Sequence, residues 1–447
     1  MLKNQKWLKI AEGLKVELFQ AKDEGKEVDE YHYNIINKIV NNNEWDRDKE
    51  RLAAKILDEI RSLPISKSFK YFEPSGINEI KKARPFKNLV KNTKKLNKKK
   101  QYNKTLGAWL GRCAGCLLGK PIEGWHSKKI LDFLKDIKKY PLKFYLSSDI
   151  ENDILRKYDI KNINEECWYN NVKHMPEDDD LNYTILNLKL LELHNKNFTP
   201  DDVAESWLKN LPILHLFTAE RIAYKNIVNS IYPPESAIYQ NPCREWIGAQ
   251  IRSDIYGYIT PGNSELGAEL AWRDASISHT KNGIYGAMFV AAMLSEAAIN
   301  NSIEEIILTG LEQIPKKSRL SESINEIFKW KKEGLGWEQI IKNIHNLFNE
   351  KISHHWCHVI PNAMIVCASL LYGELDFEKS VCLAVQAAFD TDCNGATVGS
   401  VIGMILGADV LPSNWVVPLN DRIKSCIQDF EFVKISDMAR KTMLYQS

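Results

Sequence analysis

No apolar stretch in the 447 residues approaches the about 20 needed to cross a bilayer as a helix. The opening Met1-Leu2-Lys3-Asn4-Gln5-Lys6-Trp7 has no apolar core of the kind a secretory signal carries. A cytoplasmic protein without a membrane partner is the expectation. Charge of one sign is also lacking. Sixty basic and 58 acidic residues leave a net +2, which excludes a general polyanion-binding surface, and no nucleic-acid partner is expected. Lysines do gather at 87, 91, 94, 95, 98, 99, 100 and 104, but stacking aromatics are scarce there, with Phe86 and Tyr102 at the margins. A solvated linker fits better than a strand-binding patch. Nine cysteines, an odd number, argue for reduced thiols. The C-x-x-C at Cys113 to Cys116 has no second pair at zinc-site spacing and no preceding βαβ pattern. It reads as two small core residues on a packed helix.

What is present is ordinary globular composition, 44% apolar and 26% charged, with chain enough for a large core. Two glycine series stand out. Gly107, Gly111, Gly115 and Gly119 recur every four residues, and so do Gly395, Gly399, Gly403 and Gly407. Such a step keeps them on one helix face. Each glycine inside a helix costs about 1 kcal/mol against alanine, so a close neighbour must need the space. The spacing predicts two helices packed closely and antiparallel. Glu123, just past the first, would then lie beside Asp390 and Asp392 at the start of the second.

Asp390 and Asp392 are oxygen donors of the kind hard divalent cations take. A matching acidic run, Glu177-Asp178-Asp179-Asp180, precedes apolar residues at helical spacing from Leu181. Asp180 is the expected N-cap, with the other acids against the positive helix end. One reading is a solvated acidic cap; the other is the second half of a metal site.

Elsewhere the signals are weaker. Residues 1–100 read as a charged helical extension, with Trp7, Ile10, Ala11, Leu14 and Leu18 among a core-facing stripe, before an all-α domain over 101–447. Arg273, Asp274, His279, Lys281 and Asn282 form a dense polar group ahead of an apolar helix. His354-His355-Trp356-Cys357-His358 admits a transition-metal reading and an ordinary loop reading.

Four stretches, Gly107 to Gly124, Pro176 to Leu191, Ser278 to Ala292 and Asp390 to Gly407, together resemble the ADP-ribosylglycohydrolase family, the fold of dinitrogenase-reductase-activating glycohydrolase and jellyfish crystallin. The likeness spans about 105 to 410. It implies an all-α, multi-helix bundle. Asp179 and Asp180 take the places of the paired aspartates, Asp178 that of a metal-binding threonine, and Asp390 and Asp392 those of the late aspartates. Cys393 replaces the family's last threonine, and Leu181 another. Glu123 matches a glutamate near the metals.

The resemblance implies a metal-dependent hydrolase cleaving a glycosidic bond to ADP-ribose, in a modified protein or small molecule. Its metals would be Asp178, Asp179, Asp180, Asp390, Asp392 and Cys393 ligated: two Mg²⁺, or Mn²⁺ in their place. A thiol at 393 is a poor ligand for so hard an ion and weakens the second site. Glu123, Asp179 and Asp392 carry the chemistry on this reading. His279, Asn282, Tyr285 and the backbone near Gly119 contact substrate. The alternatives are a hydrolase of another ribosyl or nucleotide-sugar bond, and a catalytically silent binding or structural relative.

Overall fold

The computed structural model describes residues 5–41, 46–85 and 97–446. The chain is 64% helical, and among the described residues the strands amount to one antiparallel ribbon pairing Ile423–Lys424 with Phe432–Val433. Among the described residues no helix is long and apolar enough to cross a membrane.

Helices α1 (Ile10–Asp23), α2 (Glu30–Asn41) and α3 (Arg47–Ser62) open the described chain. Asp46 caps α3 by accepting the Lys49 amide at 2.6 Å. Ala11, Leu14 and Leu18 of α1 meet Ile36 and Ile39 of α2 and Ile56, Leu57 and Ile60 of α3 in a small core of their own. The other face of α1 is buried too, although it is polar. Glu17 and Glu24 hold Arg244 at 2.7 and 2.8 Å, and Gln20 donates to Glu245 at 2.6 Å. Arg319 bridges Glu73 and Glu245 at 2.8 and 2.7 Å. Charge-assisted contacts thus dock the N-terminal helices on the rest of the chain.

Helix α4 (Lys98–Gly119) is capped by Asn97, which accepts the Lys100 amide at 2.8 Å. Lys104 belongs to no solvated linker. Its buried ammonium donates to the carbonyls of Ala297, Met404 and Ile405, at the ends of two other helices. Lys87, Lys91, Lys94 and Lys95 lie outside the described residues. Helices α5 (Asp179–His194), α6 (Lys281–Ala297), α7 (Val359–Tyr372) and α8 (Thr391–Leu406) complete the frame of the site. Every residue of α6 from Asn282 to Ala297 is buried, as befits a helix apolar on nearly all sides.

The glycine series behaves as its spacing predicts. Gly107 lies against Gly403, Gly111 against Gly399 and Gly115 against Gly395, so α4 and α8 run antiparallel with their backbones touching. A Cβ added at Gly111 would stand 2.1 Å from the Gly399 carbonyl oxygen, and one at Gly399 the same distance from that of Gly111. At this approach Cα–H groups face carbonyl oxygens across the pair.

Candidate active site

The α4–α8 contact sets the site, because the C-terminal end of one helix meets the N-terminal end of the other. A Cβ at Gly119 would lie 2.3 Å from the Thr391 carbonyl, and the Thr391 hydroxyl donates to the Gly119 carbonyl at 2.9 Å. Past Gly119 the chain makes a short 3-10 turn, Lys120–Ile122, and delivers Glu123. Ahead of α8, Ala388 and Phe389 sit at φ 67° and 58°, a left-handed bend unusual for residues with side chains. The Asp390 amide is then caught by Asn362 at 3.1 Å, which also accepts from Asn394 at 2.8 Å.

The acidic run is placed from a third direction. Met175 pairs with the C-terminal ribbon: its amide donates to Arg422 at 2.9 Å and its carbonyl accepts from Lys424 at 3.0 Å. The next turn begins α5. Asp178, not Asp180, is the N-cap, accepting the Asp180 amide at 3.0 Å. Asp180 lies in the first turn of the helix and faces inward. Its Oδ1 accepts from Arg112 at 3.0 Å, and Arg112 also pairs with Asp254 at 3.0 Å.

A cavity of about 260 Å³ opens over this junction, lined by Lys120, Glu123, Asp178, Asp179, Asp390, Asp392 and Cys393. Cys116, Asp178, Asp180 and Asp392 bring ligand atoms within 4.8 Å of one another, as do Asp390, Asp392 and Cys393. Asp180 Oδ2 and Asp392 Oδ1 are buried with no hydrogen-bond partner. Burial pushes the Asp179, Asp180, Asp390 and Asp392 carboxyls above the ordinary range, with neighbouring carboxylates adding to it. Glu123 is raised mainly by Asp392. Asp178 goes the other way. Burial alone would raise it, but the ammonium of Lys120 rests on its Oδ2 and holds it low. Burial also raises the Cys116 and Cys393 thiols, so both keep their protons.

These residues fit a hard divalent cation in part. Two orphaned carboxylate oxygens in a crowd of like charges are what such an ion satisfies. Asp178, with both oxygens occupied, and the protonated Cys393 are weak members of the predicted ligand set.

The predicted substrate contacts do not reach this cavity. Asn282 spends its amide on Glu73 and Glu245, at 2.9 and 2.8 Å, and its oxygen on the Leu320 amide at 3.0 Å. The Tyr285 hydroxyl donates to the Pro74 carbonyl. His279, kept neutral by burial, hydrogen-bonds Ser278 at 2.8 Å and lines a different cavity. Gly119 is pressed against the α8 backbone rather than open to ligand. The polar groups of α6 are thus engaged by the segment around Glu73 and Pro74.

The histidine group is structural as well. His354 Nδ1 accepts from Trp246 at 3.1 Å and His358 Nδ1 from the Ile360 amide at 3.2 Å. Each Nε2 therefore carries the proton, and that of His354 is given to Asp23 at 3.0 Å. No ring lone pair is left for a metal.

Several lining residues carried no sequence signal of a site: His215, which pairs with Glu177 of the acidic run at 2.5 Å at the rim, and Trp7, Phe217 and Trp356, which form aromatic walls with Trp246. Lys120 and Cys116 had one, since both fall within a turn of the glycine series.

The model of the ADP-ribosylglycohydrolase family matches residues 97–444. Among solved structures, an ADP-ribosylglycohydrolase-related protein complex is 15% identical, with 78% of this chain and 98% of that chain covered and a TM-score of 0.44. No curated protein matches the sequence. The family match takes in the glycine helices and every carboxylate of the cavity, and leaves Trp7 outside. Extending past both ends of the likeness read from the motifs, it makes the chain a member of the ADP-ribosylglycohydrolase family, whose members are glycosidase-type hydrolases.

Proposed function

We propose that the acidic cavity hydrolyses a glycosidic bond to the distal ribose of ADP-ribose, in a modified protein or small molecule. The family acts on ADP-ribosylated substrates and uses divalent metals, which makes the acidic cavity the natural reaction site. The observation that carries the reading is the pair of buried, unpartnered oxygens on Asp180 and Asp392, brought together from two segments more than two hundred residues apart. Asp180, Asp390 and Asp392 would hold Mg²⁺. When bound, that ion would neutralise the carboxylates and bind and polarise the ribose hydroxyls and water.

The chain's own groups supply the rest. Asp179 lines the cavity half-buried, and with its charge offset by the bound ion its carboxylate would take the proton of water as general base. Glu123 stands at the exposed mouth, and Asp392 favours its protonated form, which suits a proton donor to the leaving group. Carboxylates around the anomeric carbon favour its oxocarbenium character as the bond breaks. The Lys120 ammonium supplies a fixed positive charge beside the ion's place, in keeping with one Mg²⁺ rather than two.

Calorimetric titration of metal-stripped protein with Mg²⁺, then ADP-ribose, tests the reading together with turnover of an ADP-ribosylated peptide. Metal-dependent binding and release of ADP-ribose are expected. Cleavage of other ribosides with no action on ADP-ribosyl substrates would replace it with the nucleotide-sugar alternative.

A further inference from the structure

A second cavity, of about 330 Å³, adjoins the first. Trp7, Thr218, Trp246 and Cys357 line both. It lies between α1 and the chain beyond it, with Ile10 and Val16 on one side and Ile222 and Pro242 on the other. Its charge is reversed. The first cavity is crowded with carboxylates, whereas the second has Lys6, Lys9 and Lys225 against a single acid, Glu12. Glu12 offsets little, as an exposed partner of Lys9 at 3.3 Å.

Lys225 is the informative residue. It is half-buried, and burial presses its pKa down. Among the described residues its ammonium has no hydrogen bond and no close ion pair; Glu50 attracts it only at longer range, its carboxylate being spent on the Ile10 and Ala11 amides at 2.6 and 3.4 Å. A cation held partly out of water without a hydrogen-bonding partner is well placed for an anion that brings its own oxygens. Trp7 is fixed in place. The Phe217 ring meets it edge-on at 6.0 Å, and the Arg221 guanidinium lies 5.0 Å from its centroid. Arg221 is pinned in turn by the Leu216 and Leu214 carbonyls at 2.7 and 3.1 Å. An indole already immobilised loses little entropy when a flat group packs on it.

We infer that this second cavity binds the nucleoside diphosphate half of the substrate. The base packs among Trp7, Trp246 and the aliphatic walls. The diphosphate reaches Lys225 with Lys6 and Lys9, and the distal ribose crosses the shared wall to the carboxylates. The inference rests on the proposed ADP-ribosyl hydrolysis. It makes the segment before residue 97, outside the family match, a supplier of substrate contacts. An anionic diphosphate is repelled by the first cavity and drawn to the second, so charge fixes the direction in which the substrate lies.

The test is titration with ADP in the presence of EDTA, so that no cation bridges the phosphates. Wild-type protein is expected to bind ADP, and Lys225→Met and Trp7→Ala to bind it about tenfold more weakly. Val16→Trp, which fills the cavity, is a second probe, with thermal melts confirming the fold of each variant. Equal ADP affinity in all four proteins, or none in the wild type, overturns the inference even if ADP-ribosyl turnover is found. Loss of ADP binding in the variants upholds it even if no ADP-ribosyl substrate is cleaved, a result that would sink the hydrolysis reading alone.

Discussion

The ammonium of Lys120 rests on Oδ2 of Asp178, while Oδ1 of the same carboxylate accepts the Asp180 amide at 3.0 Å. A residue one step past the glycine helix thereby holds the N-cap of a helix that begins almost sixty residues later. The carboxylate is committed on both sides, and a positive charge is already in the cavity. Replacing Lys120 by Met frees Oδ2. The variant is expected to bind more Mg²⁺ per chain than the wild type in calorimetry, and to lose about tenfold or more in turnover. Unchanged stoichiometry would show that the ammonium is not standing in a cation's place.

Asp392 tests the cost of assembling the site. Burial, with Asp178 beside it, raises its carboxyl. A folded-state pKa above the unfolded value means that the native state binds more protons between the two. Stability is then fully present below the unfolded value, about 3.9, and falls as pH rises toward the folded one. Asp392→Asn removes that loss. After EDTA treatment the variant should melt a few degrees above wild type at neutral pH, with the gap closing toward about pH 4. Its turnover should fall about 10²-fold or more. A metal-free variant that melts below wild type at neutral pH would contradict the account.

Two glycines separate packing from backbone freedom. An added Cβ at Gly111 meets the Gly399 carbonyl oxygen at 2.1 Å, and backbone on both sides leaves no side chain to move aside. Gly111→Ala is expected to cost about 3 kcal/mol or more in denaturant unfolding. Gly124 has a positive φ of 76° with nothing within 4 Å. Gly124→Ala should cost only about 1 kcal/mol, the strain of a left-handed alanine. Similar values for the two would mean that α4 and α8 can part at little cost.

Arg319 is the joint between the segment at Glu73 and the rest of the chain. Its guanidinium lies within 2.8 Å of both Glu73 and Glu245. Arg319→Leu leaves two carboxylates buried without their cation, at a cost of about 3–5 kcal/mol. Limited proteolysis should cut the variant between residues 64 and 76, where the wild type resists. A resistant variant would show that the apolar contacts of α1 hold the extension unaided.

The glycine series was fully legible in the sequence, because a four-residue repeat of the one side chain that admits backbone contact has few other uses. From it followed the antiparallel pair and the meeting of Glu123 with Asp390 and Asp392. The acidic run was legible as a helix start. Its cap was misplaced by two residues, since Asp178 and Asp180 are equally good capping residues and only the chain's entry angle from Met175 chooses between them. The α6 group misled for a different reason. Asn282 and Tyr285 have the polarity of a binding site, and nothing local shows that Glu73 and Pro74, two hundred residues earlier, would take their hydrogen bonds.

By itself, then, the sequence determined which stretches are helical, which two helices touch, and that carboxylates gather where they meet. These follow from periodicity and from the size of a missing side chain, both properties of neighbouring residues. The tertiary structure decided which charges are buried and with what. It gave Asp178 to Lys120, Asp180 to Arg112 and Arg244 to Glu17 and Glu24, and it brought Trp7 to the cavity wall. A charged residue is written alike in a sequence whether it faces water or a partner, and only packing between distant segments tells the two apart.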